Sequence, residues 1–196
     1  LLEDDRVARV FATSRSPGDS EGLGALRQTH PERLELLALD VTEAASIEAA
    51  SEAVAAQVDG LELLINVAGI LHDASTGMAP EKSLRDLEPQ HLHRSFAVNA
   101  IGPALMARYF HRLFRHGRRA VWANMSARVG SIGDNHLGGW YGYRASKAAQ
   151  NQITRTFAIE MGRKAPEALG VALHPGTVDT DLSAPFQANV PAEQLF

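Results

Sequence analysis

The stretch Leu61-Glu62-Leu63-Leu64-Ile65-Asn66-Val67-Ala68-Gly69 decides how this chain folds. It is almost continuously apolar up to Ile65, then turns small and polar. A short apolar run of that kind suits a strand buried on both faces, the habit of parallel sheets covered by helices. The pattern recurs along the chain. Residues 7–12 end at Thr13-Ser14-Arg15-Ser16-Pro17-Gly18, and residues 34–39 end at Asp40. Residues 120–123 end at Asn124-Met125-Ser126, and residues 170–174 end at Pro175-Gly176. Between these runs lie helical patterns over residues 43–57, with Thr42 as the expected cap, and over residues 90–116 and 143–161. Residues 72–89 and the Gly-rich residues 130–142 read as loops. Alternating strands and helices predict an α/β fold with a doubly wound parallel sheet. In such a sheet, ligands bind beyond the carboxyl ends of the strands. Here every one of those ends carries a polar or Gly-containing cluster.

Composition narrows the function. The chain has 196 residues, 45% hydrophobic and 21% charged, the balance of one soluble globular domain over residues 1–196. No apolar run approaches the ~18 residues of a membrane span, and no basic signal-peptide start is present. A net charge of −4 argues against nucleic acid as a partner. Cysteine is absent, so thiol chemistry and disulfides are excluded and nothing points to export; the expected location is the cytoplasm. His91 and His93 lie two apart, with no carboxylate or Cys at ligand spacing, so no metal site is expected. The basic cluster His111-Arg112, Arg115-His116 and Arg118-Arg119 reads as a solvated helix end.

The chemistry is carried by Tyr143-Arg144-Ala145-Ser146-Lys147. Tyr143 and Lys147 fall one helical turn apart on one face. A phenol beside an ammonium can transfer protons, and the Lys charge is expected to lower the Tyr pKa. Alone, the spacing equally suits a surface Tyr and Lys on an amphipathic helix. At the end of the first strand, Arg15 offers a guanidinium fork and Ser14 a hydroxyl, where an acidic residue would favour NAD by bonding its ribose hydroxyls. That pair suits a 2′-phosphate, so NADP(H) is favoured over NAD(H); the plain alternative is an exposed turn Arg.

These pieces together resemble the short-chain dehydrogenase/reductase family, in family order and over nearly the whole chain. Asn66-Val67-Ala68-Gly69 stands where the family has Asn-Asn-Ala-Gly. Asn99, in Phe96-Ala97-Val98-Asn99-Ala100-Ile101-Gly102, matches the family's helix asparagine. Tyr143 and Lys147 match its Tyr-x-x-x-Lys, and Pro175-Gly176-Thr177-Val178-Asp179-Thr180 its Pro-Gly-x-x-x-Thr. The text around the Tyr is similar to the C-factor and carbonyl-reductase-like branch. The resemblance implies a Rossmann-like dinucleotide-binding domain. It implies a nicotinamide-dependent oxidoreductase acting on a small-molecule carbonyl or alcohol, with Tyr143 as general acid/base. Lys147 would lower the Tyr143 pKa and bond the nicotinamide ribose, and Asn99 would hold a proton-relaying water. Asp40 and Val41 would contact adenine, and Gly69 would let the cofactor lie against the backbone. Asn66, Ala68, Pro175, Gly176, Val178 and Thr180 would complete the cofactor site. For Asn99 and Asp40 the plain readings are a backbone-bonding helix Asn and a turn or cap residue.

Two departures stand out. The family serine, three residues before Gly130, falls on Ala127; Ser126 is one position early and is taken as the catalytic serine. No strand with a Gly-rich turn precedes residue 7, and Leu1-Leu2-Glu3-Asp4-Asp5 resembles the tail of the helix that should follow such a turn. With no initiator Met and no last family strand, the sequence reads as a domain truncated at both ends. A dinucleotide-binding signalling or regulatory protein with weak or no catalysis is the alternative function. The long helices leave a homodimer or homotetramer open.

Overall fold

The computed structural model describes residues 1–189, 191 and 195–196. It divides into two compact units, Leu1–Asp59 and Gly60–Phe196. The first unit pairs β1 (Val10–Ser14) with β2 (Leu34–Ala38) in parallel, with Val10 opposite Leu34. Helix α1 (Glu21–Thr29) connects them, and α2 (Ala44–Ala55) follows β2. Arg33 donates to the carbonyls of Leu2, Asp4 and Val7, and its own carbonyl accepts the Val10 N–H. Residues 1–5 form turns on this guanidinium rather than the helix tail that the sequence suggests. Ile47 and Val54 of α2 are buried, as are Leu34 and Leu39.

The second unit holds a three-stranded parallel sheet in the order β3 (Leu63–Asn66), β4 (Ala120–Met125), β5 (Ala168–Leu173). Central β4 is the most buried strand, as its unbroken apolar run predicts. Two helices, α3 (Pro89–Phe96) and α4 (Gly102–Phe110), are joined by a π-helical turn at Ala97–Ile101. The long α5 (Tyr141–Lys164) packs on β5, on α3 and on the π turn. Trp122 of β4 stacks on Phe157 of α5 with ring centroids 4.3 Å apart, and Phe157 meets Phe114 edge-on at 6.0 Å. Gly60 has no room for a side chain, because a Cβ would lie 2.2 Å from the His116 ring.

All five expected strands are present, and all pairs are parallel. The first strand lies three residues later than expected, because residues 7–9 are spent on the Arg33 turn. Helix α1 is missing from the sequence reading. Its start signal was Ser20, whose hydroxyl accepts the Leu23 N–H. The expected Thr42 cap does not form: the helix begins at Ala44, and Thr42 donates its hydroxyl to Asp40 Oδ1 instead. No helix among the described residues is long and apolar enough to cross a membrane.

Truncating Trp122 to Ala removes the ring that fills the space between β4 and α5. The expected cost is about 3–5 kcal/mol, measured by urea unfolding. A loss below about 1 kcal/mol would show that this ring pair is not the core of the unit.

Candidate active site

The turn between β4 and α5 builds the centre of the site. Lys147 is only 2% exposed. Its ammonium donates to the carbonyl of Met125, the last residue of β4, at 2.7 Å, and lies 3.4 Å from Gln150 Oε1. A charged group without water costs heavily unless it is bonded. Burial therefore pushes the Lys147 pKa down to about 8. The surface-pair reading of Tyr143 and Lys147 does not survive this geometry.

Tyr143 lies one turn earlier on α5. The Lys147 ammonium is 5.7 Å from the centre of its ring. Its pKa moves against expectation: burial raises it, so the phenol stays protonated. The spacing put the two side chains on one face, but the ammonium turns to the Met125 carbonyl, and the loss of water around the phenol prevails. Trp140 stands edge-on to Tyr143 at 6.2 Å and packs on Phe186 at 5.0 Å. His72 meets Phe186 edge-on at 5.9 Å. Tyr141, a second phenol at the start of α5, lines a cavity of about 460 Å³ with Ile132, Arg144 and Ala148.

Asn99 sits in the π turn and is fully buried. Its Oδ1 accepts the Ile70 N–H at 2.8 Å, while its Nδ2 donates to the Ile70 carbonyl and to Ser146 Oγ. It does bond backbone, but the backbone is that of the segment after β3 rather than its own helix. Gly69, next to Ile70, faces Asn99 and Lys147. A Cβ there would lie 3.6 Å from Asn99 Oδ1 and 3.7 Å from Lys147 Nζ.

Ser126 is buried, and its hydroxyl donates to Asn151 Oδ1 on α5 at 2.6 Å. Ala127 follows in extended backbone, φ −147° and ψ 151°, where successive side chains point to opposite sides. Gly130 then presses on α5: a Cβ would lie 3.0 Å from Lys147 C and from Asn151 Nδ2. The hydroxyl of Ser126 is thus committed to α5 one turn beyond Lys147.

The remaining strand ends behave differently. Asn66 donates to Asn124 Oδ1 at 2.6 Å, directly across the β3–β4 register. Asn124 donates to Thr154 Oγ1 on α5, and Thr154 donates to the Gln150 carbonyl. Asn66 is thereby a structural link, and Asn124 and Thr154 are partners that the sequence reading missed. Their signal was the matching Asn at two adjacent strand ends. Gly176, with φ 83°, occupies left-handed backbone. The Val178 carbonyl accepts from Ser183 Oγ, and the Thr180 N–H donates to the same hydroxyl. Ala68 and Pro175 lie in the loops after β3 and β5.

In the first unit, Ser14 closes β1 with its hydroxyl buried and unbonded among the described residues. Arg15 follows and is exposed. Asp40 holds the Thr42 N–H and hydroxyl, and Val41 lies in that turn. Within this unit, a buried hydroxyl without a bond among the described residues, followed by an exposed Arg, is a donor set suited to a phosphate. Among the described residues no group of three His, Cys, Asp or Glu side chains could hold a metal ion.

A family model described as "Enoyl-(Acyl carrier protein) reductase" matches residues 5–195. The chain belongs to the short-chain dehydrogenase/reductase family. It is 31% identical over 176 residues to "Uncharacterized oxidoreductase C663.09c" of Schizosaccharomyces pombe, covering 89% of this chain and 65% of that protein. It is 35% identical over 133 residues to "C-signal" of Myxococcus xanthus, covering 67% of this chain and 74% of that protein. Among solved structures, the NADPH-bound carbonyl reductase from chicken fatty liver aligns with a TM-score of 0.80 and 30% identity, over 96% of this chain and 75% of that one. The chain thus spans just under two thirds of the length of the first of these short-chain dehydrogenase/reductase relatives.

The burial of Lys147 fixes the sign of one pH effect. The folded chain holds fewer protons than the unfolded one between about pH 8 and the ordinary lysine value of 10.5. The stability of the wild type relative to Lys147→Met should therefore rise with pH across that window. Paired denaturation curves at several pH values measure this; a flat difference would refute the buried ammonium.

Proposed function

We propose that this chain is part of an NADP(H)-dependent oxidoreductase that interconverts a carbonyl and an alcohol, with Tyr143 as general acid/base. The observation that carries the reading is the buried Lys147 ammonium one turn from Tyr143, whose phenol burial keeps protonated. A protonated phenol is the form that a general acid needs when it delivers a proton to a carbonyl oxygen. Lys147, pinned by Met125 and Gln150, holds a positive charge that steadies the phenolate left after transfer. Asn99 fixes Ile70 and Ser146 around this pair, so the residues after β3 keep their distance from α5. Bound nicotinamide would supply the hydride chemistry. Ser14 and Arg15 support the phosphorylated form, in line with the NADPH-bound structural neighbour. Asp40, Val41, Ala68, Gly69, Pro175, Gly176, Val178 and Thr180 complete the proposed cofactor-binding set.

A second reading, a dinucleotide-binding regulatory protein with little turnover, is favoured by one observation. The Ser126 hydroxyl is donated to Asn151, and the family's serine position is Ala127. In that case Tyr143 would polarise a bound carbonyl alone.

Mixing the full-length protein with NADPH and a panel of aldehydes and ketones tests the reductase reading. NADPH oxidation is expected; tight cofactor binding with no oxidation across the panel favours the regulatory reading. Tyr143→Phe should lower turnover by at least about 10²-fold with cofactor affinity nearly intact; wild-type rates in that variant would remove Tyr143 from catalysis. Ser126→Ala separates the two fates of its hydroxyl. A large rate loss places Ser126 on the substrate oxygen, whereas an unchanged rate leaves it a link to α5.

A further inference from the structure

The reductase reading leaves one buried acid unused. Glu81 is 6% exposed. Both of its carboxylate oxygens accept the Gly142 N–H, at 3.3 and 3.2 Å. Gly142 is the second residue of α5, so the carboxylate sits at the positive end of the helix and satisfies one of its orphan donors. The Glu81 main-chain carbonyl accepts the Trp140 N–H at 2.5 Å. One residue therefore grips both sides of the helix entry.

That entry is strained. Gly138, Gly139 and Trp140 have φ values of 68°, 65° and 52°, and Trp140 is the only non-glycine described residue with positive φ. A bulky residue holds such backbone only when its surroundings over-determine it. Ordinary helices are capped by their own N-cap side chain. Trp140 occupies that position and caps nothing. The task passes to a residue 61 positions away in sequence. Arg144 adds a second brace by donating to the Gly139 carbonyl at 3.0 Å. Nothing can slide in between, since a Cβ on Gly142 would lie 2.8 Å from Glu81 Oε1 and 3.2 Å from Leu92 Cδ2. Tyr143 is the next residue, and Trp140 touches its ring.

We propose that Glu81 is a positioning residue for Tyr143. Its carboxylate and carbonyl together hold the left-handed entry into α5, and so set where the phenol stands. The proposal rests on the reductase reading, and its test separates the two. Glu81→Ala and Glu81→Gln are compared in the full-length protein, with NADPH and a carbonyl substrate, and with hydrogen exchange at the Gly142 amide. Glu81→Ala should lower kcat by about 10- to 100-fold, the scale of a small misplacement of a catalytic group, with the KM for NADPH unchanged. Glu81→Gln keeps an acceptor oxygen and should restore most of the rate. Gly142 exchange should accelerate in Glu81→Ala and not in Glu81→Gln. If Glu81→Ala does not fold, Glu81→Asp, one methylene shorter, takes its place under the same criteria. A folded Glu81→Ala, or Glu81→Asp in its place, with wild-type kcat or with unchanged Gly142 exchange overturns the proposal. A wild type that oxidises no NADPH defeats the reductase reading itself, and the exchange measurement, which needs no substrate, then decides the clamp.

Discussion

An ammonium group removed from water must find oxygen somewhere, and Lys147 finds it at the end of β4. The Met125 carbonyl is an obligatory partner, so the start of α5 is tied to the last residue of the central strand. Around that tie the other strand ends fall into place. Asn66 reaches Asn124, Asn124 reaches Thr154, and Thr154 returns to the Gln150 carbonyl one turn beyond Lys147. Each bond satisfies a polar group that would be costly to bury alone. Asn99 bonds Ile70 and Ser146 separately, and a Cβ at the neighbouring Gly69 would lie 3.7 Å from the ammonium. The site is thus a polar island, held by tertiary bonds inside an apolar sheet end.

The parts legible in the sequence were those written in local pattern. The five strands showed as apolar runs, because a strand covered on both faces has no reason to alternate. The Tyr143 helix showed through spacing. Helix α1 was obscured by Gly22 and Gly24 and by a polar composition, and it buries no side chain to leave a stripe. The π turn was illegible for a different reason. Asn99 takes its partners from Ile70 and Ser146, which lie 29 and 47 residues away, and no local rule announces such bonds. Spacing also misjudged the direction of the Tyr143 pKa. Periodicity says which face a lysine occupies, but not where its ammonium points or how much water remains around the neighbouring phenol.

The same distinction explains Ser126. Sequence order placed a hydroxyl near α5, and the structure keeps it there, bonded to Asn151. What the sequence could not supply was the direction of the side chain at a strand end, where one residue decides between opposite sides. Glu81 shows the converse. A loop residue with no motif around it proves to be bonded to the helix that carries Tyr143, through a long-range contact that periodicity does not reveal.

Gly130 has a consequence for how this turn is spaced from α5. The helix backbone at Lys147 passes so close to it that a single methyl group would press on α5 at 3.0 Å. That contact works as a fixed gauge between the strand-end turn and α5. Ser126 and Ala127 lie ahead of this contact, and Gly130 meets the helix at Lys147 and Asn151 without the Ser126 hydroxyl. The distance between the turn and Lys147 thus rests on a backbone contact, to which the Ser126 hydroxyl adds a separate bond at Asn151. The glycine, rather than the serine, is the fixed point from which the geometry of this turn is measured.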